Sequence, residues 1–280
     1  MYNEIGYVTL NGYIYSTNLT ISIINQKDLD HQMIDETDIV INVAGCPVLD
    51  KRQSWNENFK REIIASRINT TGALADAIEK SNKPPRAFIT ISGVGYYPPH
   101  PTKTYTERSD GGKGDFFADL CKKWEEAATL PASHPTRQVI IRSGVVLGNY
   151  GGMIKELSIP FMLGLGGPMG TGKQWMPWIH IDDLASMFMF AAEEDNVNGI
   201  LNGVAPQTIT NEEFVKAYAR ALWRPALIRL PEIVFNLMFS DERAKMITDG
   251  QKVVPQRVQE LGFIFNHSTI DDACKVLANT

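Results

Sequence analysis

The chain has 280 residues, of which 44% are hydrophobic and 21% charged, and its formal net charge is −5. This composition is typical of a globular protein, and the negative charge without clustered lysine and arginine argues against a nucleic-acid binder. Cys46, Cys121 and Cys274 form no CxxC pair, which indicates a reducing compartment without disulfides or structural zinc. The start of the chain does not read as a secretory signal, and no run of about 18 apolar residues occurs. We therefore expect a soluble, cytoplasmic protein with no membrane partner.

Short apolar segments alternate with helical ones along most of the chain. Four of them are of the type that forms strands buried on both faces of a parallel sheet: residues 38–44, 87–92, 138–141 and 199–204. Helical spacing or capping signals predict helices over residues 56–80, 115–129, 182–193, 210–222 and from 269 onwards. This alternation predicts an α/β fold with a doubly wound parallel sheet and right-handed crossovers.

Three further segments have a different composition. Residues 97–114, rich in proline, glycine and charge, are predicted to be a long surface loop. The glycines of residues 148–173 favour a mobile connection or a lining around a ligand. We expect one larger domain over residues 1–205 and a smaller, α-rich lobe over residues 206–280.

Five motifs occur in an order that is typical of one family. They are Asn42–Gly45 (NVAG), Trp55–Arg67, Arg142–Gly148 (RSGVVLG), Leu163–Ala185 and Gly250–Arg257 (GQKVVPQR). From about residue 35 to its end the chain therefore resembles the atypical, 39U-like "epimerase family protein" branch of the extended short-chain dehydrogenase/reductases, within the NAD-dependent epimerase/dehydratase family. The resemblance implies a Rossmann-like domain that binds NADP, with NAD as the alternative, and a C-terminal substrate lobe. Residues 148–180 would contribute to the substrate pocket.

The resemblance also implies roles for single residues. The segment that passes beneath the cofactor would be Val43, Ala44 and Gly45. Glu62 and Arg67 would reach the cofactor from a helix, and Cys121 would line its nicotinamide end. Ser92 matches the active-site hydroxyl at the carboxyl end of a strand, although a serine there can also simply cap or turn the chain. The substrate pocket would be lined by Tyr96, Lys173, Gln174, Trp178 and His180.

Two departures from the family pattern put catalysis in doubt. The family's Tyr-x-x-x-Lys pair, in which lysine lowers the pKa of a proton-donating tyrosine, is replaced by Phe117 and Cys121. Lys122 and Lys123 are out of register with the lysine position, whereas Tyr96 and Tyr97 are loop residues that could substitute for the tyrosine.

The second departure concerns the N-terminal glycine-rich β-α-β unit of the family, whose backbone N–H groups hold a pyrophosphate. We expect this unit to be missing or altered here, through a splice form, an incomplete gene model or real divergence. Residues 7–15 have strand-like content and could substitute for its first strand.

A metal site is not expected from the sequence. Asp182 and Asp183 have no histidine or cysteine at ligand spacing, so they are interpreted as the start of a helix. A catalytic role for His180 is less favoured than a structural one.

The sequence leaves three hypotheses open. The first is an NADP-dependent oxidoreductase or epimerase-like protein acting on an unknown small molecule. The second is a catalytically silent protein that binds a dinucleotide or a partner, and the third is an inactive truncated isoform. The oligomeric state is not predicted.

Overall fold

The computed structural model describes residues 31–50, 52–229, 231 and 241–279. Its strands are β1 (Ile39–Asn42), β2 (Ala87–Gly93), β3 (Thr104–Tyr105), β4 (Arg137–Ser143), β5 (Val145–Leu147), β6 (Trp178–His180), β7 (Gly199–Gly203) and β8 (Lys252–Val253). Its α-helices are α1 (His31–Asp35), α2 (Glu57–Ile64), α3 (Thr70–Glu79), α4 (Phe116–Ala127), α5 (Gly152–Met162), α6 (Ile181–Glu193), α7 (Asn211–Ala221), α8 (Asp241–Thr248), α9 (Gln256–Glu260) and α10 (Ile270–Ala278). The predictions for the glycine-rich unit and for residues 7–15 lie outside the described residues.

The central sheet has four parallel strands in the order β1-β2-β4-β7. Both of its faces are covered, which explains why its strands are nearly continuous apolar runs. Ala87 and Ile89 of β2 pack with α6 on one face, while Phe88, between them, packs with α1 and α3 on the other. The structure therefore confirms the predicted α/β fold with a parallel sheet flanked by helices.

The predicted helix over residues 56–80 is interrupted by a π-helical turn, Ala65–Asn69, between α2 and α3. Phe59 and Ile63 are buried on α2, and Thr71 is the first buried residue on α3. In a regular α-helix, residue 70 would lie on the same face as Ile63, because seven residues make almost two turns. The buried stripe is thus displaced by one residue, and π turns of this kind are frequent at functional sites.

The structure departs from the prediction in two segments. The glycine-rich segment 148–173 is not a plain connection, because it contains α5. This helix begins at Gly152, with a φ of 60°, and Gly164, with a φ of 72°, lies just after its end. The predicted surface loop 97–114 contains β3, which pairs in parallel with β8.

The C-terminal helices pack around their own core. The side chains of α5, α7 and α10 surround Trp178, and the predicted capping box of Thr210 and Glu213 opens α7. The domain boundary at residue 205 remains a prediction. None of the helices in the described part of the chain is long and apolar enough to cross a membrane.

Candidate active site

The loop that follows β1 is fixed by buried polar contacts. The Asn42 side chain donates a hydrogen bond to Thr71 Oγ1 (2.7 Å) and accepts one from the Ala44 backbone N–H (3.1 Å). Trp124 Nε1 of α4 donates to the same Thr71 oxygen (2.9 Å). Two helices therefore set the direction in which the chain leaves the carboxyl end of β1, the edge where open α/β sheets bind ligands.

Arg67, in the π turn, extends along this loop. Its Nη2 donates to the Cys46 carbonyl oxygen (3.1 Å), and its Cζ lies 5.1 Å from the Trp124 ring centroid. A Cβ atom built on Gly45 would lie only 3.0 Å from the Arg67 Cζ, so the absence of a side chain at Gly45 lets the guanidinium lie against the loop. Ser66 Oγ accepts a hydrogen bond from the Cys46 N–H (3.1 Å).

The charge of Arg67 has no carboxylate partner among the described residues. Burial lowers the pKa of Arg67, but a guanidinium remains protonated at neutral pH. A half-buried cation with unused N–H donors at this edge of the sheet is suited to bind an anionic group such as a phosphate.

The other residues predicted to bind the cofactor differ in position. Val43 packs against the core of the sheet, and Ala44 belongs to the loop held by Asn42. Glu62 is exposed on α2, and its carboxylate forms no hydrogen bond or ion pair within the described ranges. The structure therefore brings Gly45 and Arg67 together, and no hydrogen bond or ion pair among the described residues joins the Glu62 carboxylate to either of them.

Ser92, at the end of β2, is hydrogen-bonded to a buried ion pair. Its hydroxyl donates to Glu125 Oε1 (2.9 Å). Arg142, at the end of β4, donates to both oxygens of Glu125 at 2.8 Å, and the two side chains are 4% and 11% exposed. Burial would lower the pKa of Arg142, but the hydrogen bonds and the charge of Glu125 raise it overall. The Ser92 hydroxyl is thus oriented by an acidic group and not by a tyrosine.

Tyr97 also bonds to Arg142 and is buried beside the ion pair. Its hydroxyl accepts a hydrogen bond from Arg142 Nη1 (2.8 Å) and lies 2.8 Å from Asn202 Oδ1 on β7. Burial raises the pKa of Tyr97, and its side chain is fully buried. Tyr97 is therefore a structural residue and a poor substitute for the missing tyrosine.

Tyr96, its neighbour, is only half-buried. The Arg142 Cζ lies 3.4 Å above the Tyr96 ring centroid. The hydroxyl of Tyr96 forms no hydrogen bond with any residue that the structure describes. Lys122 is close by: a Cβ built on Gly111 would lie 2.7 Å from Tyr96 Cζ and 3.0 Å from Lys122 Cε. Of the two candidate substitutes, Tyr96 has the free phenol.

Phe117 and Cys121, at the positions of the family's Tyr and Lys, are both packed. The Phe117 ring stacks on Trp55, with centroids 6.0 Å apart. The Cys121 Sγ lies beneath the end of β2, 3.5 Å from where a Gly93 Cβ would be, and burial raises the pKa of its thiol to about 11. Cys121 is therefore a neutral thiol at pH 7 and is unsuited to replace a lysine.

In the described structure, none of the other predicted pocket residues forms a hydrogen bond, ion pair or ring contact with Tyr96. Lys173 is exposed, and Gln174 donates to the Met169 carbonyl oxygen (3.0 Å). Trp178 is fully buried and borders a cavity of only about 10 Å³, which is far smaller than the usual small-molecule site. The predicted shared face of Trp178 and His180 on one strand is confirmed by β6.

His180 caps α6 through its ring nitrogen. Its Nδ1 accepts a hydrogen bond from the Asp182 N–H (3.3 Å), and its ring centroid lies 4.0 Å from that of His267. Burial, and then the neighbouring His267 imidazole, lower the pKa of His180. Asp182 and Asp183 lie in the first turn of α6, as predicted.

Sequence reasoning missed two groups of site residues. Glu125 and Arg142 are 17 positions apart. Arg142 begins a family motif and lies at the end of an apolar strand, where a buried charge requires a partner, but the sequence patterns assign neither residue a role in the site. Glu242 and Arg243 of α8 were also missed. Glu242 accepts from Trp55 Nε1 (2.5 Å), and Arg243 donates to the backbone carbonyl oxygens of Val48, Asp50 and Gln53, so α8 holds the loop after β1.

Comparisons with known proteins agree with this arrangement. The family described as "NAD dependent epimerase/dehydratase family" matches residues 11–202, and a "Domain of unknown function (DUF1731)" matches residues 230–277. The chain is 48% identical over 253 residues to "Epimerase family protein SDR39U1" of Mus musculus, covering 90% of this chain and 86% of that protein. It is 35% identical over 240 residues to the chloroplastic SDR39U1 homolog of Arabidopsis thaliana, covering 85% and 67% of the two chains.

Two solved structures are also similar to this chain. The human epimerase family protein SDR39U1 (isoform 2), crystallised with NADPH, has a TM-score of 0.86 and 44% identity, covering 90% of this chain and 87% of that one. A nucleoside-diphosphate sugar epimerase from Corynebacterium glutamicum has a TM-score of 0.72 and 26% identity, covering 91% of this chain and 49% of that one.

Proposed function

This chain belongs to the NAD-dependent epimerase/dehydratase family, and we propose that it is an NADPH-dependent oxidoreductase acting on a small molecule. The observation that carries the proposal is the guanidinium of Arg67, which lies without a carboxylate partner in the described structure against exposed Gly45 at the carboxyl end of β1. The human relative whose structure contains NADPH supports NADP over NAD as the cofactor.

The loop of Gly45 and the side chain of Arg67 would hold the cofactor. A side chain at Gly45 would meet the guanidinium at 3.0 Å, so the close fit between loop and cation depends on this glycine. Arg67 would bind a phosphate of the dinucleotide through its free N–H donors. When bound, NADPH supplies a hydride to the substrate.

Tyr96 would supply the proton that a reduced carbonyl oxygen needs. Phe117 has no acidic proton, the thiol of Cys121 has a pKa of about 11 and is enclosed, and the Ser92 hydroxyl already donates to Glu125. Tyr96 has a hydroxyl that bonds no described residue and a ring held in place by Arg142 at 3.4 Å. Tyr96 would thus take the place of the family's tyrosine, with its ring packed against Arg142.

Binding and turnover can be tested separately. We expect the melting temperature of the purified chain to rise with NADPH and to rise less with NADH, because a ligand of the native state stabilises it. Tyr96→Phe should keep that rise and lose at least about 100-fold in NADPH oxidation on a panel of carbonyl compounds and nucleotide sugars. Tyr150→Phe, at a tyrosine that is 70% exposed, is the matched control.

Each result has a definite meaning. Full turnover by Tyr96→Phe would remove Tyr96 from the mechanism. A chain that melts cooperatively and responds to neither nucleotide would overturn the proposed function itself.

The second candidate function is dinucleotide binding without turnover. It is favoured by Phe117 stacked on Trp55 and by the neutral Cys121 thiol, which occupy the family's catalytic positions. An NADPH-dependent rise in melting temperature with no turnover on any compound of the panel would establish this alternative.

We also propose a cytoplasmic location and no nucleic-acid partner. All three cysteines are free thiols, as expected in a reducing compartment, and the net charge of −5 disfavours a phosphate backbone.

A further inference from the structure

A cluster of metal-ligating side chains lies at the start of α6. His180 Nδ1 is 3.5 Å from Asp182 Oδ2, and His267 Nε2 is 3.8 Å from the same oxygen. One ligand atom from each of the three residues lies within 4.8 Å of the others. In a tetrahedral zinc site, with bonds of 2.0–2.2 Å, neighbouring ligand atoms are roughly 3.3–3.6 Å apart. Small side-chain rotations would bring these atoms to that spacing.

Asp183 holds His267, which lies 84 residues later in the sequence, beside α6. Asp183 is fully buried, and its carboxylate accepts hydrogen bonds from the backbone N–H groups of Asn266 (2.7 Å) and His267 (2.9 Å). These two bonds place the segment before α10 beside α6, so that the imidazole of His267 faces that of His180. Outer-shell contacts of this kind orient the ligands of metal sites.

The charge of the cluster also favours a cation. In the described part of the chain, no lysine or arginine pairs with Asp182 or Asp183, although both carboxylates lie in one helical turn. Together they outweigh the partial positive charge at the N-terminal end of α6. The hydrogen bond from the Asp182 N–H to His180 Nδ1 is long, at 3.3 Å, and a metal bond could replace it.

We propose that His180, Asp182 and His267 bind a divalent cation of the Zn²⁺ class. Two imidazoles and one carboxylate form a donor set that suits zinc and neighbouring transition metals, and not Mg²⁺ or Ca²⁺. Asp182 is partly exposed, which leaves the fourth position to water. The cation would connect α6 to the segment before α10 across 87 residues of sequence from His180 to His267, and this role is independent of the proposed oxidoreductase activity.

The test is metal titration of the EDTA-treated, dialysed full chain. Co²⁺ should bind with one equivalent and give the visible absorption of a four-coordinate site, and Zn²⁺ should displace it. His267→Gln and Asp182→Asn should each weaken Zn²⁺ binding by more than the roughly 10–100-fold typical of an outer-shell change. His100→Gln, at an exposed histidine, should bind like the unmodified chain.

Folding is checked by melting each variant without metal. His267→Gln keeps the backbone N–H that Asp183 accepts, so its metal-free melting temperature should match that of the unmodified chain. The unmodified chain should melt at a higher temperature with Zn²⁺, and His267→Gln should not. Failure of the unmodified chain to bind Zn²⁺, or binding that survives both ligand substitutions, would overturn the proposal.

Discussion

Two arginines near the carboxyl edge of the sheet have opposite surroundings. Arg142 forms two hydrogen bonds with Glu125, stacks on Tyr96 and is almost completely buried. Arg67 is half-buried and bonds to backbone oxygens and a hydroxyl, with no carboxylate in the described residues. The first cation is neutralised within the fold, whereas the second retains its charge for another partner.

This difference separates a residue that holds the protein together from one that recognises a ligand. A buried ion pair is costly to break, because the partner left behind is an uncompensated charge. An arginine without such a partner can be removed at a small cost in stability, and the effect should be seen in anion binding instead. The predictions below test this contrast.

The largest effect is expected from Glu125→Gln, which leaves the buried guanidinium of Arg142 without a counter-charge. The free energy of unfolding, measured by urea denaturation, should fall by about 3 kcal/mol. Glu126→Gln, at the exposed neighbour on the same helix, should change it by less than about 0.5 kcal/mol. Equal losses in the two variants would show that the pair with Arg142 does not stabilise the fold.

Arg67→Gln tests most directly whether Arg67 serves ligand binding and not stability, in contrast to Arg142. NADPH affinity should fall at least tenfold, which is about 1.4 kcal/mol, because a phosphate contact is lost. The free energy of unfolding should fall by less than about 1 kcal/mol, because the groups that Arg67 leaves without a hydrogen bond are uncharged carbonyl and hydroxyl oxygens. Calorimetric titration with NADPH checks the first value, with Arg61→Gln on α2 as the charge-matched control. A large loss of stability with unchanged NADPH affinity would reverse the assignment.

The smallest effect is expected from Gly45→Ala. The added Cβ would lie 3.0–3.3 Å from the Arg67 guanidinium, so the side chain must shift by a few tenths of an ångström. NADPH affinity should fall by about threefold, or ~0.6 kcal/mol, with no loss of stability. Gly72→Ala, where a Cβ meets open space, should leave the affinity unchanged. If both alanine variants bind NADPH equally well, the loop does not position Arg67.

The sequence predicted the parts of the fold that depend on local pattern. The central strands were predictable because β-branched apolar runs bounded by polar residues suit a sheet covered on both faces. Helix α5 was hidden by the glycines around it, and the π turn before α3 gives no signal in a helical periodicity.

The site was less predictable, because its contacts join residues that are far apart in the chain. The resemblance to a family gave site roles to Arg67 and Ser92, but none to Glu125, which lies 33 residues after Ser92 and binds its hydroxyl. Likewise, the sequence showed no ligand partner for Asp182, because His267, which lies beside it in the structure, is 85 residues further along the chain. Such contacts depend on packing, which no spacing rule between neighbouring residues encodes.

The π turn determines how this helix can vary in length. It accommodates one residue more than regular α-helical geometry would, and one residue corresponds to about 100° of rotation. Deleting one residue of the turn would restore a regular helix in which Thr71 follows Ile63 by seven positions, almost two turns, so Thr71 would keep its contacts with Asn42 and Trp124. Deleting a second residue would rotate α3 by about 100° relative to α2 and remove Thr71 from both partners. Relatives that keep the contacts at both ends are therefore expected to have this segment at its present length or one residue shorter, and the shorter form would lack the π turn that contains Arg67.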